Sequence, residues 1–277
     1  MAEGVGTREY EIAIRDDRKV RISIDGHEKR SSQGTDILFI PGFKGFKDWG
    51  GWPWFGGELA TAGHRVFRMN PSMCGVGPAL DSFDEPHKFA RQTLDHDIED
   101  VRAVLEDAAL GIESPILLGH SRGGLVAALC AGESCGVAGV ITMGTPADLL
   151  SLSDDEIEKW RATGCREIVN ARTGEVLHQD VEVLEDYLQQ GERYSACLAL
   201  ERSNLPVLAI HGGADDAVEP SCAGILLTGV DPQRGRQVIV EGAGHTFGLT
   251  HPFVGPHPHA LEVLEVIIGW LREDRVR

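Results

Sequence analysis

The stretch from Pro115 to Leu129 is an apolar segment, then Gly119-His120-Ser121-Arg122-Gly123-Gly124, then a second apolar segment beginning at Leu125. The run 115–118 suits a strand buried on both faces, and 125–129 suits a buried helix. A chain that turns from strand to helix within so few residues crosses itself, and only the smallest residues fit at the crossing. Gly119 and Gly123, two positions either side of Ser121, meet that need. The serine is left at a helix N-terminus, where free backbone N–H groups and the helix dipole favour developing negative charge. This is the pattern of a nucleophile elbow. G-x-S-x-G alone is a weak signal in a chain with 34 glycines, and the competing reading is a tight turn in which Ser121 only caps the helix. The strand before it and the helix after it give the motif its weight.

Two further segments follow in the order such an elbow requires. Residues 205–210 form a short apolar run that delivers His211-Gly212-Gly213-Ala214-Asp215-Asp216, and residues 236–240 form another that delivers Glu241-Gly242-Ala243-Gly244-His245. The order Ser, Asp, His is that of triad partners on a mostly parallel sheet and differs from the orders on other serine-protease architectures.

On these motifs, together with Pro41-Gly42-Phe43, the chain resembles the α/β-hydrolase superfamily from about Asp36 to its last helix. Within it the chain is most similar to small bacterial esterases related to cinnamoyl esterases and to serine-aminopeptidase-like hydrolases. The resemblance implies an α/β-hydrolase fold and assigns Ser121 as nucleophile, His245 as base and Asp215 as acid. Backbone N–H groups of Phe43 and Arg122 would hold the oxyanion. Pro41 stands where many relatives have histidine, a position that supplies no N–H in the usual arrangement. Asp216 and Asp148 remain alternative acids. His251, His257 and His259 suit loop or helix-capping roles better than that of base, while His120 and His211 are expected to pack beside the site. On alternation alone, His120 points away from it.

The rest of the chain alternates strand and helix. A hairpin is expected at 10–14 and 19–24, turning near Asp16 and Asp17, with buried strands at 36–40, 64–69 and 137–143. Helices are expected at 54–62 and at 89–109, the latter with Leu94, Ile98, Val101, Val104 and Leu105 at helical spacing. This pattern gives an α/β fold, a mostly parallel sheet with helices on both faces and active residues at the carboxyl ends of its strands. Polarity rises between 147 and 203, where helices at 154–163 and 181–190 and a hairpin at 166–170 and 175–178, turning at Thr173 and Gly174, are expected. Residues 1–146 and 204–277 therefore form the expected core, and 147–203 a small cap that shapes the substrate pocket. The tail after Trp270 is expected to be a frayed helix end.

At 277 residues the chain can bury one sizeable core plus this insertion, and not two such domains. A formal net charge of −17 argues against nucleic acid and against anionic membranes as partners. The first residues lack a secretory pattern and no apolar run is of spanning length, so a cytoplasmic protein is expected. The six cysteines show no C-x-x-C spacing and are expected to be free thiols, with Cys165 and Cys197 the pair to test in an exported protein. No metal or cofactor is implied, and a homo-oligomer is compatible with the sequence. The expected activity is hydrolysis of a small-molecule carboxylic ester through an acyl-serine. An aminopeptidase-like amide hydrolase and a non-catalytic small-ligand-binding protein on the same fold are the alternatives. Trp49, Trp52, Trp54, Phe43, Phe46 and Phe55 stand near the oxyanion segment, either as acyl-pocket lining or as core.

Overall fold

The structure is a computed structural model, and it describes residues 6–15, 17–28, 31–133, 136–150, 152–170 and 174–273. Asp16, Cys135, Thr173, the first five residues and the last four lie outside them. So do parts of both expected hairpin turns and the end of the tail.

Ten strands are described: β1 (Gly6–Arg15), β2 (Arg18–Gly26), β3 (Asp36–Ile40), β4 (Arg65–Asn70), β5 (Ile116–His120), β6 (Gly139–Met143), β7 (Cys165–Val169), β8 (Val176–Asp180), β9 (Val207–Gly212) and β10 (Gly235–Val240). The helices are α1 (Trp52–Thr61), α2 (Pro86–Phe89), α3 (Leu94–Glu106), α4 (Arg122–Gly132), α5 (Asp154–Thr163), α6 (Val181–Gln190), α7 (Ala196–Ser203), α8 (Cys222–Leu226) and α9 (Pro258–Leu271). Eight strands make one sheet in the order β1-β2-β4-β3-β5-β6-β9-β10. It is antiparallel at the β1-β2-β4 edge and parallel from β4 to β10. Among the described residues no helix is long and apolar enough to cross a membrane.

The apolar runs of the central strands follow from burial on both faces. Along β3, Leu38 and Ile40 enter a core with α3, α4 and α7, whereas Ile37 and Phe39 enter a second core with α1 and α9. β5 divides in the same way, with Leu117 in the first core and Ile116 and Leu118 in the second. Two helical layers thus cover a sheet whose strands need no polar face. α4 lies between the sheet and α7, and a Cβ on Gly132 would lie 2.9 Å from the Ala199 Cα, so a small residue lets the two helices meet.

The helix expected at 89–109 is divided. α2 ends at Phe89 and α3 begins at Leu94, because the Thr93 side chain accepts the His96 N–H while His96 Nδ1 accepts the Thr93 N–H. This reciprocal capping satisfies N–H groups that a continuous helix would have bonded internally. The five apolar residues on the stripe do face the core, all within α3.

Residues 147–203 contain the two expected helices, α5 and α6, and the hairpin β7-β8, which forms a separate antiparallel pair. α5 carries a Ser153/Glu156 capping box and closes on Gly164 in the left-handed conformation. α7, in the same segment, packs on the elbow helix through Ala199 and Leu200.

Candidate active site

The elbow forms as its glycines require. Ser121 joins β5 to α4 at φ 53° and ψ −125°, a conformation that costs a side-chain-bearing residue energy and persists only where its surroundings impose it. A Cβ on Gly119 would collide with the Gly123 carbonyl, and one on Gly123 would collide with the Ile40 carbonyl of β3. The Ser121 N–H bonds the Met143 carbonyl at 2.8 Å, which ties the turn to β6. Its side chain makes no N-cap hydrogen bond to α4, so the capping alternative does not describe it.

Phe43 and Arg122 flank Ser121 from two elements. A Cβ on Gly42 would lie 2.9 Å from the Ser121 Cβ, so the segment after β3 passes directly over the serine and sets Phe43 beside it. Arg122 is the first residue of α4, where an N–H has no partner within the helix. Its side chain is buried against Asp97 of α3: Nε and Nη2 donate to Oδ2 at 2.9 and 2.8 Å, and Gln92 donates to Oδ1 at 2.7 Å. This buried pair, which sequence reading did not find, fixes the start of the elbow helix.

Asp215 and His245 are brought together by two loops joined through their backbones. The Gly213 N–H donates to the Val240 carbonyl at 2.8 Å, and the Ala214 N–H to the Ala243 carbonyl at 2.9 Å. Across this junction His245 Nδ1 lies 2.8 Å from Asp215 Oδ2. The Asp215 side chain is wholly buried, whereas that of His245 keeps 22% of its exposure. Burial pushes the Asp215 pKa up, but hydrogen bonds from His245 and from the Val218 and Ala217 N–H groups outweigh it and hold it below its ordinary value. The alternative acids stand elsewhere. Asp216 is exposed, and Asp148 bonds Tyr187 of α6 and its neighbour Leu149 N–H.

The other histidines have roles of their own. His251 stacks on Trp49 and accepts the Gly50 N–H at 2.9 Å, while His257 caps α9 by accepting the His259 N–H. His120 lies closer to the site than strand alternation suggests. Its ring is 4.8 Å from that of His245, and its Nε2 is 3.0 Å from the His245 carbonyl. Burial, reinforced by His245, lowers its pKa to about 3, so this contact is an N–H donated by a neutral ring. Among the described residues no three His, Cys, Asp or Glu side chains converge as a metal-ligand set, and Cys74, Cys165, Cys197 and Cys222 are free thiols.

Of the six aromatic residues noted near the oxyanion segment, Trp52, Phe55 and Phe46 are buried core residues. Phe43 is half-buried and joins a cluster of Phe46, Cys74, Val76, Phe83, Phe89 and Leu177, with Ile168 packed on it. Ile168 and Leu177 come from β7 and β8, so the inserted hairpin rests on the loop that carries Phe43. Lys44 Nζ bonds the Val169 carbonyl at 3.4 Å, and the Asp180 N–H bonds the Ala90 carbonyl at 2.8 Å, adding polar ties to the same contact. A surface depression of about 670 Å³ lies away from the site, lined by residues such as Tyr10, Arg65 and Glu113.

Known proteins share this architecture. No curated protein sequence matches the chain. A putative hydrolase from Agrobacterium vitis is similar to it with a TM-score of 0.72 and 18% identity, covering 98% of this chain and 100% of the other. The ferulic acid-bound structure of Est1E from Butyrivibrio proteoclasticus gives 0.68 and 19%, covering 95% and 96%. The esterase domain of a Rhodothermus marinus protein gives 0.65 and 19%, covering 96% and 98%. The profile of the alpha/beta hydrolase fold matches residues 37–184, more than half of the sequence and a span that includes the Ser121 elbow. The chain belongs to the alpha/beta hydrolase fold family.

Proposed function

We propose that this protein is a serine hydrolase that cleaves carboxylic esters through an acyl-serine intermediate. The observation that carries the reading is the 2.8 Å contact between His245 and buried Asp215, together with Ser121 held at positive φ where β5 meets α4, next to a His120 ring that lies 4.8 Å from that of His245. A serine hydroxyl is a poor nucleophile until a base takes its proton, and an imidazole kept in one tautomer by a carboxylate suits that task. In this reading Asp215 accepts a hydrogen bond from the Nδ1–H of His245, leaving Nε2 bare to receive the Ser121 proton.

The Ser121 oxygen then adds to the ester carbonyl, and the Phe43 and Arg122 N–H groups stabilise the oxyanion. Collapse breaks the bond to the alkoxy group, which leaves as the alcohol with the proton returned by His245. Water, deprotonated by the same imidazole, releases the acid and restores the serine. No metal is needed in this sequence of steps. Esterase names among the structural neighbours, one of them holding ferulic acid, favour ester substrates and an aromatic or short acyl group. Residues 147–203, apart from α7, which belongs to the core layer on the elbow helix, act as a cap in the same account, supported by the packing of β7-β8 on the Phe43 cluster.

The test is turnover of p-nitrophenyl esters of increasing acyl length and of hydroxycinnamate esters by the wild type and by Ser121→Ala. Turnover by the wild type and a loss of roughly 10³-fold or more in the variant are expected. Comparable rates for the two proteins would remove Ser121 from the mechanism.

A further inference from the structure

His211 is the penultimate residue of β9, four positions before Asp215, and its side chain is 1% exposed. Its Nε2 lies 3.1 Å from the Val218 carbonyl and 3.2 Å from Asp215 Oδ2. Both are acceptors, so Nε2 carries the proton. Nδ1 is buried with no hydrogen-bond partner among the described residues, and burial favours the neutral ring. A position selected only for packing would gain from an apolar ring here, since a buried polar atom without a partner is costly.

The Asp215 carboxylate shows what the imidazole offers in return. Its Oδ1 accepts the Ala217 and Val218 N–H groups at 2.9 and 3.0 Å, and its Oδ2 faces both His245 Nδ1 and His211 Nε2. Val218 is therefore held twice, by Asp215 through its N–H and by His211 through its carbonyl. The turn 212–218 closes on itself around the carboxylate.

We infer that His211 is a positioning residue for the acid, anchoring the Val218 carbonyl and presenting an N–H to Asp215 Oδ2 so that the carboxylate stays in line with His245. The inference rests on the reading of Ser121, His245 and Asp215 as a triad. Neither its charge nor its contact with substrate is required, only the donor at the Nε2 position. Glutamine can place an amide N–H near that position, and phenylalanine keeps the ring volume without the donor.

The experiment measures kcat, KM and melting temperature for His211→Phe and His211→Gln, each in the wild-type background and combined with Asp215→Asn. The expected result is a loss of about ten-fold or more in kcat for H211F with KM little changed and the fold retained, and recovery of most of that loss in H211Q. In the Asp215→Asn background the H211F change should cost nothing further, because the carboxylate it positions is gone. Full kcat in H211F, the same fold-loss in both backgrounds, or failure of both His211 variants to fold would each overturn the inference. A failed triad reading shows separately, as an Asp215→Asn enzyme that turns over normally, and it overturns the inference with it.

Discussion

Asp215 Oδ2 stands 2.8 Å from His245 Nδ1 across two loops that leave neighbouring parallel strands, while Asp216, one residue on, is exposed. The difference between these adjacent aspartates predicts unequal mutants. Asp215→Asn should lower kcat on the order of 10³–10⁴-fold by stabilising the wrong tautomer of His245. Asp216→Asn should leave turnover essentially unchanged. Steady-state kinetics of the two purified variants check this, and the reverse order would transfer the role to Asp216.

The crossing at the elbow predicts a defect of fold. In Gly123→Ala the new Cβ meets the Ile40 carbonyl, and backbone cannot give way as a flexible side chain would. A loss of roughly 1–3 kcal/mol or more is expected, read from denaturant unfolding. Unchanged stability would show that the turn is looser than its geometry indicates.

The placing of Ser121, Asp215 and His245 in loops after strands is legible because each follows an apolar run in a glycine-rich stretch, where strand ends and sharp turns leave a local signature. The helices of the inserted segment were legible for a similar reason, since Ser153 and Gly164 mark both ends of α5. What escaped depended on contacts between distant elements. Nothing local announces that Arg122 pairs with Asp97, or that Leu177 of the hairpin rests against the aromatic cluster beside Phe43. A helical stripe masks the Thr93 cap and hides the break after Phe89, and alternation alone misdirects His120, although packing beside the site holds, because it ignores the His245 loop whose carbonyl meets the ring.

Trp160 binds the inserted segment to itself. It is 3% exposed, packs with Val183 and Leu184 of α6, and donates Nε1–H to the Gln179 carbonyl at 3.1 Å. Trp160→Ala should cost roughly 3–5 kcal/mol of local packing and loosen the hairpin that rests on the Phe43 loop. Relative kcat/KM among esters should then change more than the labelling rate with a small fluorophosphonate. A common fall in every ester and in labelling would mean that the segment supports the triad itself.

Buried histidines predict a pH dependence of stability. Burial, with help from Arg272, lowers the His64 pKa to about 4, and burial with His245 lowers that of His120 to about 3. For a histidine whose folded pKa is depressed, the unfolded chain binds the extra proton first. Stability should therefore be flat above about pH 7 and fall as pH drops from about 6.5, the unfolded value, toward the folded values. Asp215 adds to the loss lower down, as pH falls from the ordinary carboxylate range through its depressed pKa. Melting temperature against pH measures this, and His64→Gln should flatten the slope by roughly 3 kcal/mol over the window. An unaltered slope would show that His64 is not held neutral.

The central claim is that Ser121 is the nucleophile, and peptide mapping after brief exposure to a fluorophosphonate tests it most directly. The account predicts one adduct, on the peptide containing Ser121, formed far more slowly in His245→Ala and absent from Ser121→Ala. An active enzyme that carries no adduct, or an adduct on another residue that abolishes turnover, would contradict it.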